Sequence, residues 1–390
     1  MKELDIENKI PHPSEKLKIN SVLEKNAEAE PFNYSTNNLK LLADALRYAA
    51  RYQSKRSKFL SAYYKMLGFN PDTIKKYSDI EKIPFVFVNA LKERDLTTLP
   101  PEEIILELKS SGTSGQRSRM QLDLGSLLRV RRMAYNVFNA LGLADLKNEH
   151  DYLCFTYDPE FAGDVGTAWT DKLLTYFTKK GEIYYSFKWD AAKKDFYFDI
   201  ENAVKKMKEY EEKQSMVRLL GFPAFALKLT EEFKKVFGRY PKLNPASSVI
   251  TGGGWKNLSD EAIDKKTYRK ILADNLSIPV ENVRDLFGMV EHGVAYVDCR
   301  LGNFHIPIYG KIISRDPISL KNIGYGKKGL LQFITPYLTS YPSFSVLSSD
   351  WGEVKEGCDC GIDGPVLEVC GRAGVRKLKG CAVSAAHMLK

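Results

Sequence analysis

Short apolar runs alternate with helical patterns through the middle of the chain, and this alternation constrains the fold more than any other feature. Residues 152–155, 217–221 and 247–251 are rich in β-forming residues, whereas 200–213 and 260–276 have helical periodicity. Strands that alternate with helices usually form a largely parallel sheet whose two faces are covered by helices. The sequence therefore predicts an α/β fold, in which ligands bind beyond the carboxyl ends of the strands.

The regions before and after this core have different patterns of apolar and turn residues. Before it, a helical pattern begins at Ser35 and a continuation ends at Gly68, after an irregular leader. The segment 83–89 is rich in aromatic residues and contains a proline, which predicts an extended crossing into the core. After residue 293, short β-like pieces are separated by turn residues. We assign 1–80 to an N-terminal helical cap, 81–293 to the α/β core and 294–390 to a β-rich subdomain with a C-terminal tail.

Composition places the chain among globular proteins and limits the classes of ligand that it is expected to bind. Of its 390 residues, 44% are hydrophobic and 27% are charged, and the formal net charge is +9. The lysines are spread along the chain without an aromatic-interleaved basic motif, which argues against nucleic-acid binding and suits an anionic substrate such as ATP. With no secretory signal, no membrane span and six unevenly placed cysteines, the sequence predicts a cytoplasmic protein.

A run of small polar residues lies between two β-like segments, 104–108 and 120–123. It reads Lys109-Ser110-Ser111-Gly112-Thr113-Ser114-Gly115-Gln116-Arg117-Ser118. Glycines allow the backbone to turn sharply, and backbone N–H groups with hydroxyls can surround phosphate oxygens. The run is not a Walker loop, because Gln116 and Arg117 follow its last glycine and a strand comes next. It predicts a loop that joins two strands and binds phosphate, although a plain surface turn has the same composition.

Three later segments carry side chains that suit a nucleotide. Phe287 and Gly288 precede Glu291, so that an aromatic ring could stack on a purine and a carboxylate could hold Mg²⁺. Asp350 follows a β-like run, where it could accept hydrogen bonds from ribose hydroxyls. Arg372 follows a glycine and could bind phosphate or ribose. Taken singly, each segment also fits a core aromatic, a surface acid or a basic turn.

The order and spacing of these motifs closely resemble those of the adenylate-forming ligase superfamily. Within it, the segments 85–92, 251–256 and 379–381 are similar to those of the LuxE-type acyl-protein synthetases of bacterial fatty-acid reductase systems. The resemblance covers residues 80–390. It implies the α/β large domain of that superfamily. It also implies ATP-dependent activation of a carboxylic acid to an acyl-adenylate, release of pyrophosphate, and acyl transfer to a protein cysteine.

The resemblance also implies a role for each motif residue. Phosphate binding falls to Ser110, Ser111, Gly112, Thr113, Ser114 and Gly115, and Mg²⁺ binding to Thr113 and Glu291. Gly252, Gly253 and Gly254 would flank the adenine, with Phe287 and Gly288 beside it. Asp350 would bind the ribose, and Arg372 the ribose or the α-phosphate.

The chain departs from the superfamily pattern at several points. Val290 stands where Thr is frequent, and Ser348-Ser349 replaces Thr-Gly before the aspartate. Only ten residues follow Gly380, so we expect the mobile C-terminal domain with its catalytic lysine to be absent, as the resemblance to LuxE-type proteins implies. This departure counts against an ordinary coenzyme A ligase. The cations that could replace the lysine are Lys256, Arg117 and Lys377.

The sequence predicts the class of acid, and it is compatible with more than one final acceptor of the acyl group. The predicted pocket walls, 155–166, 221–225 and the residues near Trp255, combine aromatic and small residues and suit an apolar acid, although a buried core has the same composition. The expected partners are that small-molecule acid and an acyl reductase or another acyl-accepting protein. A ligase that passes the acyl group to coenzyme A or a small amine is the alternative, and a non-catalytic nucleotide-binding scaffold is a third hypothesis.

Four of the six cysteines crowd near the C-terminus: Cys358, Cys360, Cys370 and Cys381. Four thiolates can bind a structural zinc ion, but the spacing is not that of a common zinc ribbon, and the turn residues around the first pair also suit a β-hairpin. Cys381 is the predicted acyl acceptor, because neighbouring basic residues can lower the pKa of its thiol and LuxE-type proteins carry their acylated cysteine near the C-terminus. A small buried residue of a terminal strand is the other interpretation.

Overall fold

The computed structural model describes residues 10–93, 96–109, 119–158, 161, 166–193, 195–254 and 263–373. Within these ranges each helix is either too short or too polar to span a lipid bilayer. The helices are α1 Val22–Ala27, α2 Thr36–Arg56, α3 Lys58–Leu67, α4 Val88–Glu93, α5 Leu124–Ala140, α6 Gly166–Leu174, α7 Ile200–Lys213, α8 Pro223–Phe237 and α9 Lys265–Leu276. The strands are β1 Val86–Phe87, β2 Leu106–Lys109, β3 Arg119–Leu122, β4 Asp145–Tyr157, β5 Thr178–Asp190, β6 Asp195–Phe198, β7 Val217–Gly221, β8 Ser248–Gly252, β9 Val283–Phe287, β10 Tyr296–Val297, β11 Phe304–His305, β12 Lys311–Arg315, β13 Gly329–Ile334, β14 Ser345–Lys355 and β15 Val366–Arg372.

A seven-stranded sheet forms the predicted α/β core. Its strand order is β10-β9-β8-β7-β4-β5-β6, and β9, β8, β7, β4 and β5 run parallel, with antiparallel strands at the two edges. Every residue of β7 is buried, as expected of a parallel strand covered on both faces. One face packs on α7, α8 and α9, and the other on α5 and the second sheet. The predicted α/β class and its helix-covered parallel sheet are confirmed.

The short β-like segments after residue 293 form most of the second sheet. Strands β11-β15-β14-β13-β12 are antiparallel, and β1 adds to β14 in the parallel direction. Leu331 and Phe333 of β13 share a buried apolar cluster with Tyr152 and Cys154 of β4. The two sheets are therefore held together by one continuous apolar core rather than by polar contacts alone.

The N-terminal helices begin and end where the sequence predicts. The Ser35 hydroxyl accepts from the N–H of Asn38 at the start of α2, and Gly68 ends α3 in the left-handed conformation with a φ of 62°. Such a φ favours glycine because it has no Cβ. The buried face of α2, with Leu42 and Leu46, packs in a cluster that also holds Val346 of β14.

Two predictions about the leader and the crossing segment were wrong in part. The leader contains the short helix α1, which is tied to α5 by the ion pairs Glu24–Arg129 at 2.5 Å and Glu28–Arg132 at 3.0 Å. A six-residue helix is too short to show periodicity, so tertiary contacts decide its existence. The crossing is extended only through Phe87, because Val88 begins α4 and buries its side chain.

Candidate active site

The carboxyl ends of four neighbouring parallel strands form one edge of the seven-stranded sheet. Phe155 of β4 lies opposite Gly221 of β7, which in turn lies opposite Thr251 of β8. Gly252 then lies opposite Leu286 of β9. This register brings the segments after all four strands to the same edge, where open α/β sheets bind their ligands.

The predicted Gly252-Gly253-Gly254 segment lies at this edge and needs its glycines for two different reasons. A Cβ at Gly252 would lie 2.8 Å from the carbonyl oxygen of Leu286, so only glycine lets the two strand ends approach this closely. Gly253 and Gly254 have φ values of 80° and 67°, in the left-handed region. A Cβ at Gly253 would also lie 3.0 Å from the ring of Phe222, at the start of α8. The result is a stretch of backbone without side chains beside the end of β9.

Phe287 ends β9 next to this glycine backbone. Its half-buried ring lies 5.8 Å from the ring of Phe333 and about 6 Å from those of Tyr296 and Phe304, measured between centroids. These contacts hold the ring against the core between the two sheets. Gly288, which follows it, is exposed.

The turn after β9 places Glu291 among buried residues, with only 4% of its surface exposed. The next residue, His292, shares a 2.6 Å hydrogen bond with the hydroxyl of Tyr296, and burial lowers the pKa of this imidazole to about 3. His292 is therefore neutral at physiological pH. Gly293 has a φ of 71°, and a Cβ there would lie 3.1 Å from both Leu338 and Val130. The turn that carries Glu291 is thus fixed by packing on both sides.

The small-residue loop is flanked by two strands, as predicted. Strand β2 pairs antiparallel with β3, and the last pair before the loop is Lys109 with Arg119. The loop itself, including Ser110 to Gly115, lies outside the described residues. The apolar residues of the hairpin belong to the same cluster as the partly buried Met289 and Val290. The base of the loop and the Glu291 turn are therefore anchored in one cluster.

Asp350 and Arg372 lie opposite each other on β14 and β15 of the second sheet. The Nε of Arg372 is 3.7 Å from Oδ1 of Asp350, and their side chains are 40% and 15% exposed. The backbone N–H of Asp350 donates to the hydroxyl of Ser348 at 3.0 Å. The structure therefore brings these two predicted residues together, on a different sheet from the glycine edge. The predicted acceptor Cys381 and the three candidate cations, Lys256, Arg117 and Lys377, lie outside the described residues.

Sequence reasoning missed an acidic residue close to the β4 edge. Burial raises the pKa of Asp171, on α6, to about 7, and its carboxylate would interact unfavourably with a thiolate at Cys154 of β4. A lone aspartate in an amphipathic helix gives no sequence signal. Its altered pKa arises from the way α6 packs on the sheet.

The proposed four-cysteine zinc set is not the one that the structure assembles. Cys358 and Cys360 lie in the β14–β15 connection, which is the antiparallel hairpin that the turn residues predicted. Cys370 is exposed on β15, with its Sγ 3.8 Å from Oε1 of Glu368, and Cys381 is outside the described residues. Cys299 and His305, which the sequence did not single out, lie beside the first pair instead.

Comparison with solved structures identifies the fold first. The fold is that of the adenylate-forming ligases: it matches an open conformation of 2-hydroxyisobutyryl-CoA ligase in complex with 2-HIB-AMP and CoA with a TM-score of 0.67. This match has 16% sequence identity and covers 94% of this chain and 83% of that one. The fold predicted from the resemblance is therefore confirmed.

The family follows from the sequence itself. Residues 14–390 match the model of the acyl-protein synthetase family LuxE, and the chain belongs to that family. A long-chain-fatty-acid–luciferin-component ligase of Aliivibrio fischeri is 26% identical over 331 residues, or 84% of each chain. Its counterpart in Vibrio harveyi is 25% identical over 307 residues, or 78% of each chain. The chain is accordingly an ATP-dependent, acid-activating ligase.

Proposed function

We propose that the chain activates a fatty or other apolar acid with ATP, forming acyl-AMP and pyrophosphate, and then transfers the acyl group to a cysteine thiol. The observation that carries this proposal is the glycine backbone at Gly252–Gly254, which lies beside Phe287 at the carboxyl edge of an adenylate-forming fold. The names of the two relatives, which refer to long-chain fatty acids, support an acid of that kind here. A related ligase that uses coenzyme A or a small amine as acceptor is the alternative.

The glycine edge suits the flat adenine ring. Because Gly253 and Gly254 have no Cβ, the adenine ring can lie directly against the backbone. Backbone N–H and C=O groups can then form hydrogen bonds with the polar edge of the adenine. Phe287, held from behind by Phe333, supplies an apolar wall beside it. Asp350 would accept from the ribose hydroxyls, and Arg372 would donate to the ribose or the α-phosphate.

The β- and γ-phosphates would lie in the loop from Ser110 to Gly115, and Glu291 with Thr113 would hold Mg²⁺. Glu291 fits this role because its carboxylate is part of a turn anchored in the same cluster as the base of that loop. Mg²⁺ prefers oxygen ligands and uses few from the protein. When bound, it neutralises negative charge on the phosphates. The Glu291 turn, fixed by packing at Gly293, would hold the carboxylate in one place during the reaction.

The first half-reaction needs no nucleophile from the protein. A carboxylate oxygen of the acid attacks the α-phosphorus, the bond to the leaving pyrophosphate breaks, and the protein orients the two reactants. One of Lys256, Arg117 and Lys377 would supply the cation that neutralises the charge of the leaving pyrophosphate. The apolar acid would lie along the segments after β4 and β7, including Phe222 and Phe225.

Cys381 is the proposed acceptor of the acyl group. Its thiolate attacks the carbonyl carbon of acyl-AMP, a thioester forms, and AMP leaves. Cys370 is a weaker candidate, because partial desolvation and the nearby Glu368 carboxylate raise the pKa of its thiol and reduce its thiolate fraction at neutral pH. An acyl reductase, or another protein that accepts acyl groups, would then remove the acyl group.

Acid-dependent exchange of labelled pyrophosphate into ATP tests the first half-reaction. We expect exchange with fatty acids, and its absence across fatty, aryl and hydroxy acids, even with a partner present, would contradict the enzyme proposal. The acceptor is tested with labelled acid, a denaturing gel and hydroxylamine treatment. Cys381→Ser should exchange pyrophosphate but form no acyl-protein, whereas Cys370→Ser should form it. A thioester of coenzyme A instead of a labelled protein would support the alternative.

A further inference from the structure

A cluster of four potential metal ligands uses none of the residues that are proposed to bind ATP. It consists of Cys299, His305, Cys358 and Cys360, whose ligand atoms all lie within 4.8 Å of one another. The imidazole Nε2 of His305 is 3.0 Å from Sγ of Cys358 and 3.1 Å from Sγ of Cys360. The Sγ atoms of Cys299 and Cys358 are 3.8 Å apart. We propose that these four residues bind one structural Zn²⁺ ion.

The spacing of the four atoms fits a tetrahedral ion. Zinc binds cysteine sulfur at about 2.3 Å and histidine nitrogen at about 2.0–2.1 Å, so neighbouring ligand atoms in a tetrahedron lie roughly 3.5–3.8 Å apart. The 3.8 Å between the Sγ atoms of Cys299 and Cys358 is the expected sulfur–sulfur distance. The Cys358–Cys360 sulfur distance is about 0.7 Å shorter than expected, and the two distances from Nε2 of His305 to sulfur are about 0.5 Å shorter. Three thiolates and one imidazole form one of the usual donor sets of structural zinc.

A disulfide bond is the main alternative for the closest pair of cysteines. The Sγ atoms of Cys358 and Cys360 are 3.1 Å apart and both thiols are free. A disulfide requires about 2.05 Å. Such a bond would also leave Cys299 and His305 facing a sulfur pair without a role, whereas a metal ion uses all four groups.

A tight turn lies next to each pair of ligands. The N–H of Cys299 donates to the carbonyl of Asn303 at 2.9 Å, and Gly302 completes this turn with a φ of 86°. Cys360 is followed by Gly361, whose φ of 87° turns the chain after the ligands. A Cβ at Gly364 would collide with the ring of Tyr34, so this loop is packed against the N-terminal region. The ligands are thus positioned by backbone geometry.

The environment of His305 determines which ring nitrogen can bind. The ring packs edge-on against Phe32, with centroids 5.8 Å apart. Its Nδ1 is buried and has no hydrogen-bond partner among the residues that the structure describes. Nε2 is the nitrogen that points at the sulfurs, so a neutral imidazole protonated at Nδ1 would bind through Nε2.

The position of the cluster indicates what the metal does. Cys299 follows β10 of the seven-stranded sheet, and His305 ends β11 of the second sheet. Cys358 and Cys360 belong to the connection between β14 and β15, also in the second sheet. Four protein ligands leave no open coordination position, which is typical of structural zinc. The ion would therefore link the edge of the seven-stranded sheet at β10 to the edge of the second sheet at β11.

Metal analysis of the reduced, full-length protein, purified without chelator, tests the proposal. We expect about one zinc per chain, and a large loss in Cys358→Ser and in His305→Ala. Cys370→Ser is the matched control, because Cys370 is also a C-terminal cysteine but contacts Glu368 instead of the cluster, and it should retain the metal. Wild-type protein that contains no zinc and acquires none from added ZnSO₄ would overturn the proposal, as would equal loss in the control.

A second measurement keeps the test valid where a variant fails to fold. Replacement of zinc by Co²⁺ in the wild-type protein should give the intense visible bands of tetrahedral Co²⁺ and the sulfur-to-cobalt charge-transfer bands of thiolate ligation. Weak bands typical of octahedral Co²⁺, without charge transfer, would contradict the assigned ligands. Chelation of the metal should lower the thermal midpoint of the wild-type protein by several degrees, and an unchanged midpoint would contradict the structural role.

Discussion

Replacing Gly253 with alanine separates the strain of a left-handed residue from the filling of the glycine edge. Gly253 has a φ of 80°, and a Cβ there would lie 3.0 Å from the Phe222 ring. Gly238, at the end of α8, has a φ of 71° and nothing within 4 Å of an added Cβ. Gly238→Ala is therefore a matched control with the same type of strain and no new contact.

The two substitutions should differ in magnitude in a defined way. A left-handed alanine costs about 1–2 kcal/mol relative to glycine, and this cost applies to both variants. The contact with Phe222 adds an overpacking cost of about 1–3 kcal/mol to Gly253→Ala alone. If half of that extra cost falls on the nucleotide site, ATP binding weakens by about 1 kcal/mol, which is roughly a fivefold change.

The assay compares pyrophosphate exchange and urea unfolding in the two variants. We expect both to unfold at lower urea than the wild type, with Gly253→Ala the less stable. Only Gly253→Ala should raise the KM for ATP, by about fivefold. An unchanged KM in Gly253→Ala, or an equal rise in Gly238→Ala, would refute the assignment of this backbone to the adenine site.

Three further predictions concern charged side chains. Glu291→Gln should lower acid-dependent pyrophosphate exchange on the order of a hundredfold and weaken its dependence on Mg²⁺, because the carboxylate charge is lost. The exposed Glu281→Gln is its control, and equal activity in both would remove Glu291 from the site. Asp350→Asn should raise the KM for ATP about tenfold with little change in kcat, since a ribose contact acts on binding; a change in kcat alone would contradict that role. Because burial raises the pKa of Asp171 to about 7, the folded state favours the protonated carboxyl. Protonation of Asp171 therefore adds to the free energy of unfolding near pH 4, and this contribution is lost as the pH rises to about 7. Between pH 5 and pH 8 the wild type should lose about 2–3 kcal/mol of unfolding free energy that Asp171→Asn does not lose, and parallel pH profiles from urea titrations would contradict this expectation.

Local sequence signals predicted much of the fold. The helix over 200–213 has the predicted ends, because Gln214 closes it in the left-handed conformation and its apolar residues follow one face. The glycines at 252–254 were correctly predicted to lie at a strand end, because three consecutive glycines are unfavourable inside a strand. These features depend on neighbouring residues, which a single sequence shows directly.

Features that depend on distant residues were not predictable in the same way. Cys358 meets His305, 53 positions earlier, only because β11 pairs with β15. The sequence showed four clustered cysteines and so suggested a set within the last segment. Sheet pairing instead brings two of them, Cys358 and Cys360, beside Cys299 and His305 from an earlier part of the chain. The pKa of Asp171 likewise depends on how α6 packs, which no local pattern encodes.

The pairing of β1 with β14 has a consequence for folding during synthesis. Val86 lies opposite Val346. A strand near the start of the chain therefore cannot pair until residues about 260 positions later have been synthesised. Closure of so long a loop is entropically costly, and non-local pairing slows folding. Until β14 emerges from the ribosome, β1 has no partner in its sheet, and the apolar residues around it, including Phe85, remain available to chaperones or to wrong partners. The second sheet is therefore the part of the molecule whose assembly completes the fold.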